Sequence, residues 1–458
     1  MIARASIRPG WSVAICVAAL GSLLTGASLH GASISPAADA PQPLSPEESQ
    51  KRFQLPDDLV IELVAAEPLI ADPTAICWDE RGRLYVCELH GYNLEGQIEI
   101  EELNKTGELD TQVRRIQAPE WAKKAAEAGT YGTVKLLEDT DGDGRMDKAT
   151  VMADRLPPCY GLVPSRGGLI VACAPDIMFL KDADGDGKAE IREKLFTGFK
   201  TGNLERGINN PRWGIDNWIY VSGSYGGTIT GPNLKEAVTL GGTDFRIKAD
   251  GSAIEPVTGR THTFGMTMDD VGQRWLITTS LHALYAAPLP WRYLKRNPFV
   301  PTPETVINAA SSETLYPISK PHPWRFKRGQ DPEWIKFYGA RETTPNGSFT
   351  SGSGQLIYRD RELPERFWGN HFCCDPQQSL VHRSLLERDG AGWKESRAPE
   401  EQSSEFLAST DGWFRPINLL TGPDGAIYVV DMYREIIEDY SAIPRFLQQQ
   451  YGLTKGID

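Results

Sequence analysis

The sequence predicts an all-β fold, a six-bladed β-propeller, and three observations carry that prediction. One hairpin unit recurs six times, Gly and Pro punctuate the chain throughout (44 and 32 of 458 residues), and helical periodicity is rare. The clearest copies are "AICWDERGRLYVCE" (Ala75 to Glu88), "PRWGIDNWIYVSGS" (Pro211 to Ser224), "GMTMDDVGQRWLITTS" (Gly265 to Ser280) and "NLLTGPDGAIYVVD" (Asn418 to Asp431). Weaker copies are "YGLVPSRGGLIVACA" (Tyr160 to Ala174) and "GQLIYRDRELPERFWGNHFCCD" (Gly354 to Asp375). Each reads as a strand, a turn built on Asp or Gly, and a second apolar strand. Two further strands follow several copies, and the units are spaced by about 50 to 95 residues. Six four-stranded blades around a channel satisfy this pattern with few exposed edges. A pair of β-sandwiches does not explain six copies of one hairpin.

From the N-terminus, Arg4 and Arg8 precede an apolar run from Trp11 to Leu24 and small residues from Thr25 to Ala40. This reads as a signal peptide, too short for a membrane span. The expected organisation is a leader and arm over 1–40 and one propeller over 41–458, with insertions at 90–129 and 288–345. No later run reaches the ~20 apolar residues of a spanning helix, so an exported protein without a transmembrane segment is expected, periplasmic or extracellular. The net charge of −13 argues against a nucleic-acid partner.

In the first two blades the third and fourth strands flank acid-rich loops. "DTDGDGRMDKAT" offers Asp139, Asp141, Asp143, the Arg145 carbonyl and Asp147. "DADGDGKAEIRE" offers Asp182, Asp184, Asp186, the Lys188 carbonyl, Glu190 and, at position 12, Glu193. Carboxylates at positions 1, 3, 5 and 9 with Gly at 6 form the oxygen-rich pattern of a calcium loop. The flanks are short β-branched runs and not helices, which places calcium at hairpin tips as a structural staple, on the face opposite the channel mouth.

At the mouth, starts of first strands and ends of second strands converge. They bring Asp72, Asn209, Asn210, Arg212, His262 and Arg415, and Glu88, His90, Tyr225, His282, Asp375, Asp431, Tyr433 and Arg434. His262 and His90, at strand ends facing the channel, are the candidate general bases. Arg212, Arg415, Asn210 and Arg434 are candidates for holding an anionic cofactor or substrate, the alternative being pairing with neighbouring carboxylates, such as Arg434 with Asp431. His282 and His371 read as packed side chains. Both insertions leave the ends of second strands and should roof this face. Six cysteines follow the leader: a hairpin turning about Arg166 sets Cys159 opposite Cys173, whereas adjacent Cys373 and Cys374 point to opposite faces. There is no Cys-x-x-Cys-His, hence no covalent haem.

The stretches "LSPEESQKRFQLPDDLVIELVAAEPLIADPTAI", "NNPRWGIDNWIYVSGS", "LIYRDRELPERFWGNHF", "LVHRSLL" and "STDGWFRPINLLTGPDGAIYVVDMYREIIE" resemble the N-terminal propeller of large secreted planctomycete and verrucomicrobial proteins named as membrane-bound dehydrogenases. The resemblance implies kinship with glucose/sorbosone dehydrogenases, which use pyrroloquinoline quinone and a histidine base in a His-x-Gly-Gly stretch. It also implies a cytochrome c electron acceptor, a module this chain lacks. Here the matching stretch is "GINNPRWG", without histidine, so the base falls to His262 or His90. The expected activity is sugar or alcohol dehydrogenation at the mouth, quinone-linked. The alternatives are a non-catalytic glycan- or protein-binding propeller and a calcium-dependent lactonase-type hydrolase, the last needing an ion within the channel.

Overall fold

The computed structural model describes residues 2–3, 36–90, 131–201, 207–223, 225–259, 263–287, 289–297, 299, 305–332, 335, 346–438, 443 and 445–452. The leader beyond Ile2–Ala3, most of the 90–129 insertion and the candidate base His262 lie outside them.

Before the repeats come β1 (Ile2–Ala3), helix α1 (Pro46–Gln50), β2 (Phe53–Gln54) and β3 (Leu63–Ala65). Ser45 caps α1 by accepting from the Glu48 amide, with Pro46 at the first helical position. Blade one is β4 (Pro73–Trp78), β5 (Leu84–Leu89), β6 (Gly132–Glu138) and β7 (Lys148–Leu156). Blade two is β8 (Gly161–Ser165), β9 (Gly168–Cys173), β10 (Asp176–Lys181) and β11 (Ile191–Phe199). Blade three begins with β12 (Asn209–Trp213) and β13 (Ile219–Ser222). A detour through β14 (Gly227–Thr230) and β15 (Val238–Leu240) then extends blade two to six strands. The chain returns through β16 (Phe245–Ile247) and β17 (Ile254–Pro256) to finish blade three.

Blade four is β18 (Met266–Met268), β19 (Arg274–Leu276), β20 (Leu284–Ala286) and, after helix α2 (Trp291–Leu294), β21 (Val306–Asn308). Helix α3 (Pro323–Arg328) precedes blade five, which comprises β22 (Ser353–Ile357), β23 (His371–Asp375), β24 (Leu380–Asp389) and β25 (Gly392–Arg397), with β26 (Leu407–Ser409) also on β24. The sixth unit is a hairpin, β27 (Pro416–Thr421) and β28 (Ile427–Asp431), followed by helix α4 (Arg445–Gln450). All ladders are antiparallel. The innermost strands β4, β8, β12, β18, β22 and β27 neighbour one another in turn, and β27 returns to β4. The ring therefore has six members: five blades of four or more strands and one hairpin.

The hairpin turns follow directly from sequence. Asp79, Asp216, Asp269 and Asp424 each accept a backbone N–H two residues on. One residue of each turn has positive φ: Gly82 at 75°, Asn217 at 58°, Gly272 at 78° and Gly425 at 81°. Asx-turn chemistry followed by a residue tolerant of left-handed backbone is what "DERG", "DN", "DDVG" and "PDG" encode. In blades three and six the second-strand tyrosine returns to that aspartate, Tyr220 to Asp216 at 2.9 Å and Tyr428 to Asp424 at 3.0 Å.

Blades are joined by apolar packing between sheets and by hydrogen bonds between inner strands. Thr74 donates to the Cys159 carbonyl, Asn418 to the Thr74 carbonyl, Gln355 to the Gly265 carbonyl and Asn209 to the Thr263 carbonyl. A polar side chain on an innermost strand thus satisfies a carbonyl of an adjacent blade. Closure involves both ends of the chain. β2 pairs with β26, Ser49 donates to Asp411, Trp413 to the Pro41 carbonyl, and Ala37 to the Gln450 carbonyl. β1 pairs with β3 and lies beside β28.

The cysteines follow the expectations only partly. Gly161 pairs with Ala172, so the hairpin turns about Arg166–Gly167, and one further step sets Tyr160, not Cys159, opposite Cys173. All six described cysteines are free and buried, although Cys159 interacts with both Cys173 and Cys87 inside one cluster. Cys373 and Cys374 enter different clusters, on opposite faces of β23. No helix among the described residues is long and apolar enough to cross a membrane.

Candidate functional site

The two acid-rich loops join β6 to β7 and β10 to β11, on the side of the first hairpin turns and away from the ends of second strands. Asp182 lies 3.9 Å from Arg83 of the β4–β5 turn, fixing that side. In each loop the first aspartate accepts two backbone N–H groups: Asp139 from Gly142 and Gly144, Asp182 from Gly185 and Gly187. Carboxylate oxygens converge in Asp139, Asp141 and Asp147, and in Asp182, Asp184, Asp186 and Glu190. Asp143 and Glu193 are outside these groups. Asp143 instead accepts from the Arg145 amide, and Glu193 stands two residues into β11, opposite Phe179 and exposed. The expectation for Glu193 rested on its position 12 in the loop pattern alone. A strand beginning at Ile191 carries that residue straight away from the loop.

At the mouth, second strands end in acids that clasp the start of the first strand. Glu88 accepts from Ala71 N, Asp375 from Thr350 N, Ser351 N and Ser351 Oγ, and Asp431 from Arg415 N. Beside each clasp the first strand carries a β-bulge, between Pro73 and Ala75, between Ser353 and Gln355, and between Pro416 and Asn418. Burial pushes the Asp375 and Asp431 carboxyls above their ordinary range, against the amides that they accept from. These acids position backbone.

The arginines divide. Arg415 is buried and gives its guanidinium to main-chain carbonyls, Nε to Arg434 O at 3.1 Å, Nη1 to Pro376 O at 2.9 Å and Nη2 to Glu435 O at 2.5 Å. Burial lowers its pKa to about 10, against the attraction of Asp431, Asp411 and Glu435. Arg434 forms a bidentate pair with Asp72 and not with Asp431, linking the end of blade six to the start of blade one. Arg212 forms no ion pair among the described residues: it reaches Pro211 O and Asn210 Oδ1 at 3.3 Å, and burial lowers it to about 10 against the nearby Cys77. Asn210, at φ 48°, is engaged with Asn209 and Arg212.

His90 is the described histidine with access to this face, its side chain 42% exposed. Nε2 lies 2.8 Å from Glu88 Oε2, and the opposite carboxylate oxygen pairs with Lys135 at 2.8 Å. An ionised carboxylate only accepts, so Nε2 carries a proton toward Glu88 and Nδ1 is the ring nitrogen turned from it. Asp72 Oδ2 lies 4.0 Å from Nδ1. A base oriented by a buried acid, itself fixed by a lysine, is the arrangement that proton transfer requires. The sequence placed Glu88 and His90 at the mouth without pairing them, although their spacing of two residues sets both on one face of an extended chain. Nothing local pointed to Lys135 or Asp72.

Part of the second insertion lies over the same region. His322 caps α3, Nδ1 accepting from Trp324 N and Nε2 donating to Glu435 at 2.8 Å, while Trp324 packs with Ile436, Ile443, Leu447 and Tyr451. His282 and His371 are fully buried, as their place in the sequence suggested.

Fold and site together define a six-membered all-β propeller with a histidine-carboxylate pair at one end of the ring. The chain belongs to the family DUF7133, a domain of unknown function, whose model matches residues 45–458. No curated protein matches it. Among solved structures it is similar to the holo form of the pyranose dehydrogenase PQQ domain from Coprinopsis cinerea, with 13% identity and a TM-score of 0.45, covering 87% of this chain and 97% of that one. It is also similar to PQQ-bound aldose sugar dehydrogenase from Streptomyces coelicolor, with 12% identity and a TM-score of 0.43, covering 84% and 94%.

Proposed function

We propose that this chain acts on the hydroxyl group of a sugar or alcohol at the channel mouth, with His90 as the proton acceptor. The observation that carries the reading is the half-exposed imidazole fixed by Glu88 at 2.8 Å, with Nδ1 left to act. Asp72 would face the imidazolium formed, and Arg212 would steady an electron-rich group of the ligand. The resemblance in the blade-six stretch supplies the class, an oxidoreductase, in which His90 takes the hydroxyl proton and the carbon-bound hydride passes to a two-electron acceptor supplied from outside the described residues. His262 remains the second candidate base, outside the described residues.

Pyrroloquinoline quinone carries three carboxylates, and its site needs several free cationic donors. Among the described mouth residues Arg415 and Arg434 are consumed by protein partners, which leaves Arg212. That set does not fit the quinone, and no step is assigned to it. The same consumption of charge favours a second reading, a propeller that binds glycans or partner proteins without turnover. A lactonase-type hydrolase is less favoured: among the described residues, no group of converging metal ligands contains a residue of the mouth set except His282, which is buried. Calcium is retained in the proposal as a structural staple at the hairpin tips.

The test is dye reduction by the purified, calcium-loaded protein on a panel of sugars and alcohols, with and without added quinone, together with calorimetric binding. Turnover lost in His90→Gln with an unchanged melt supports the assignment. Saturable binding without turnover selects the second reading. Full activity in His90→Gln removes His90 as base.

A further inference from the structure

A second histidine-carboxylate group, one member of which is His282 of the mouth set, is sealed between blades four and five. His282 lies in the loop from β19 to β20, His382 on β24 and Glu395 on β25, with exposures of 0%, 2% and 2%. We infer that His282, His382 and Glu395 bind a divalent first-row transition cation, for which zinc is the reference ion.

The geometry is that of converging ligands. Glu395 Oε1 is 3.5 Å from His282 Nε2 and 3.8 Å from His382 Nε2. An ion bound tetrahedrally at 2.0–2.2 Å holds its ligand atoms about 3.4 Å apart; both distances to Glu395 lie near that value, and all three ligand atoms fall within 4.8 Å of one another. The far side of each ligand is already directed. His382 Nδ1 lies 2.7 Å from Glu405 Oε2, and Glu405 is held in turn by Arg397 and by Tyr316 N. A carboxylate on the remote ring nitrogen is how metal-bound imidazoles are oriented. Glu395 Oε2 accepts from Ser311 N, which turns Oε1 inward. His282 is stacked on Phe349, centroids 4.4 Å apart and planes 13° from parallel, so its ring cannot swing freely.

The second observation is His282 itself: it is completely buried, yet neither ring nitrogen reaches a hydrogen bond of ordinary geometry, the nearest partner being Glu395 Oε1 at 3.5 Å from Nε2. An unsatisfied buried polar group costs about 1–3 kcal/mol. A cation at Nε2 removes half of that cost and ties blade four to blade five. Three protein ligands leave a fourth position for water. Mixed imidazole and carboxylate donors suit zinc and its neighbours better than calcium, which prefers oxygen alone.

The test uses the full chain, stripped of metal and kept in excess calcium so that the acid-rich loops are filled. Zinc bound after dialysis is measured by elemental analysis, and cobalt substitution by its visible ligand-field absorption. One zinc per chain is expected, falling at least tenfold in affinity in His282→Leu, a change that preserves volume and removes no hydrogen bond. Unchanged zinc in His282→Leu overturns the inference, as does a wild type that binds none; then His382 merely bridges two glutamates. Cobalt spectra showing sulfur charge-transfer bands would place the ion at the Cys87, Cys159 and Cys173 thiols and overturn it as well. Should His282→Leu lose its cooperative melt, the wild-type cobalt spectrum decides alone.

Discussion

The Arg434–Asp72 pair joins residues 362 positions apart, and its removal should open the ring at its seam. Both side chains are nearly buried, 6% and 10% exposed, and the guanidinium meets both carboxylate oxygens. An exposed pair would be worth about 0–1 kcal/mol, whereas deleting one partner of a buried pair costs about 3–5 kcal/mol because the other charge is left without compensation. Arg434→Met should therefore destabilise by about 3–5 kcal/mol. Asp72 occupies left-handed backbone at φ 48°, so Asp72→Asn is the partner substitution that keeps the conformation while removing the charge. In equilibrium urea unfolding followed by tryptophan fluorescence, the double variant should cost less than the sum of the single ones, with a coupling of about 2 kcal/mol or more. Additive losses, or a loss under about 1 kcal/mol for Arg434→Met, would refute the claim that this pair closes the ring.

Other outcomes can be checked as simply. Calcium chelation should lower the melting temperature, and in calorimetric titration Glu190→Gln should weaken calcium binding while Glu193→Gln leaves it unchanged. Equal losses in both would contradict the convergence seen at Glu190. Burial holds His322 below its ordinary value despite Glu435. The unfolded chain then takes up a proton that the folded chain resists, so stability present above a pH of about 6.5 falls as the pH drops below it. His322→Asn, which keeps a capping acceptor, should show a shallower decline in thermal melts across that range. Gly161→Ala should destabilise by about 1–3 kcal/mol through overpacking, since a Cβ there would fall 2.4 Å from Pro211 Cδ in the next blade. An unchanged urea midpoint would show that the inner strands can separate freely.

Local chemistry explains what the sequence disclosed. The hairpin turns at Asp79, Asp216, Asp269 and Asp424 are set within a few residues, and so are the positions of the two acid-rich loops at third-to-fourth strand connections. Six repeats of one local solution are enough to announce a ring. What stayed hidden depends on distant partners. Arg415 and Arg434 resemble ligand-binding residues until the carbonyls of Pro376 and Glu435 and the carboxylate of Asp72 are placed against them. His382 and Glu395 have no spacing signature, because β24, β25 and the loop after β19 meet only when blades four and five are stacked. The one-residue error at Cys159 reflects a turn of two residues, Arg166 and Gly167, in place of a turn centred on Arg166.

The segment from Ala37 to Gln54 touches Gln450, Asp411, Trp413, Tyr433 and the strand at Leu407–Ser409. Residues 37–54 and 407–450 are consequently obligate neighbours. Individual hairpins can mature as they emerge during synthesis, yet the wheel has no final tension until the stretch from Asp411 to Gln450 is available. A product halted before Asp411 would be a crescent with a loose tail, a ready substrate for quality-control proteases.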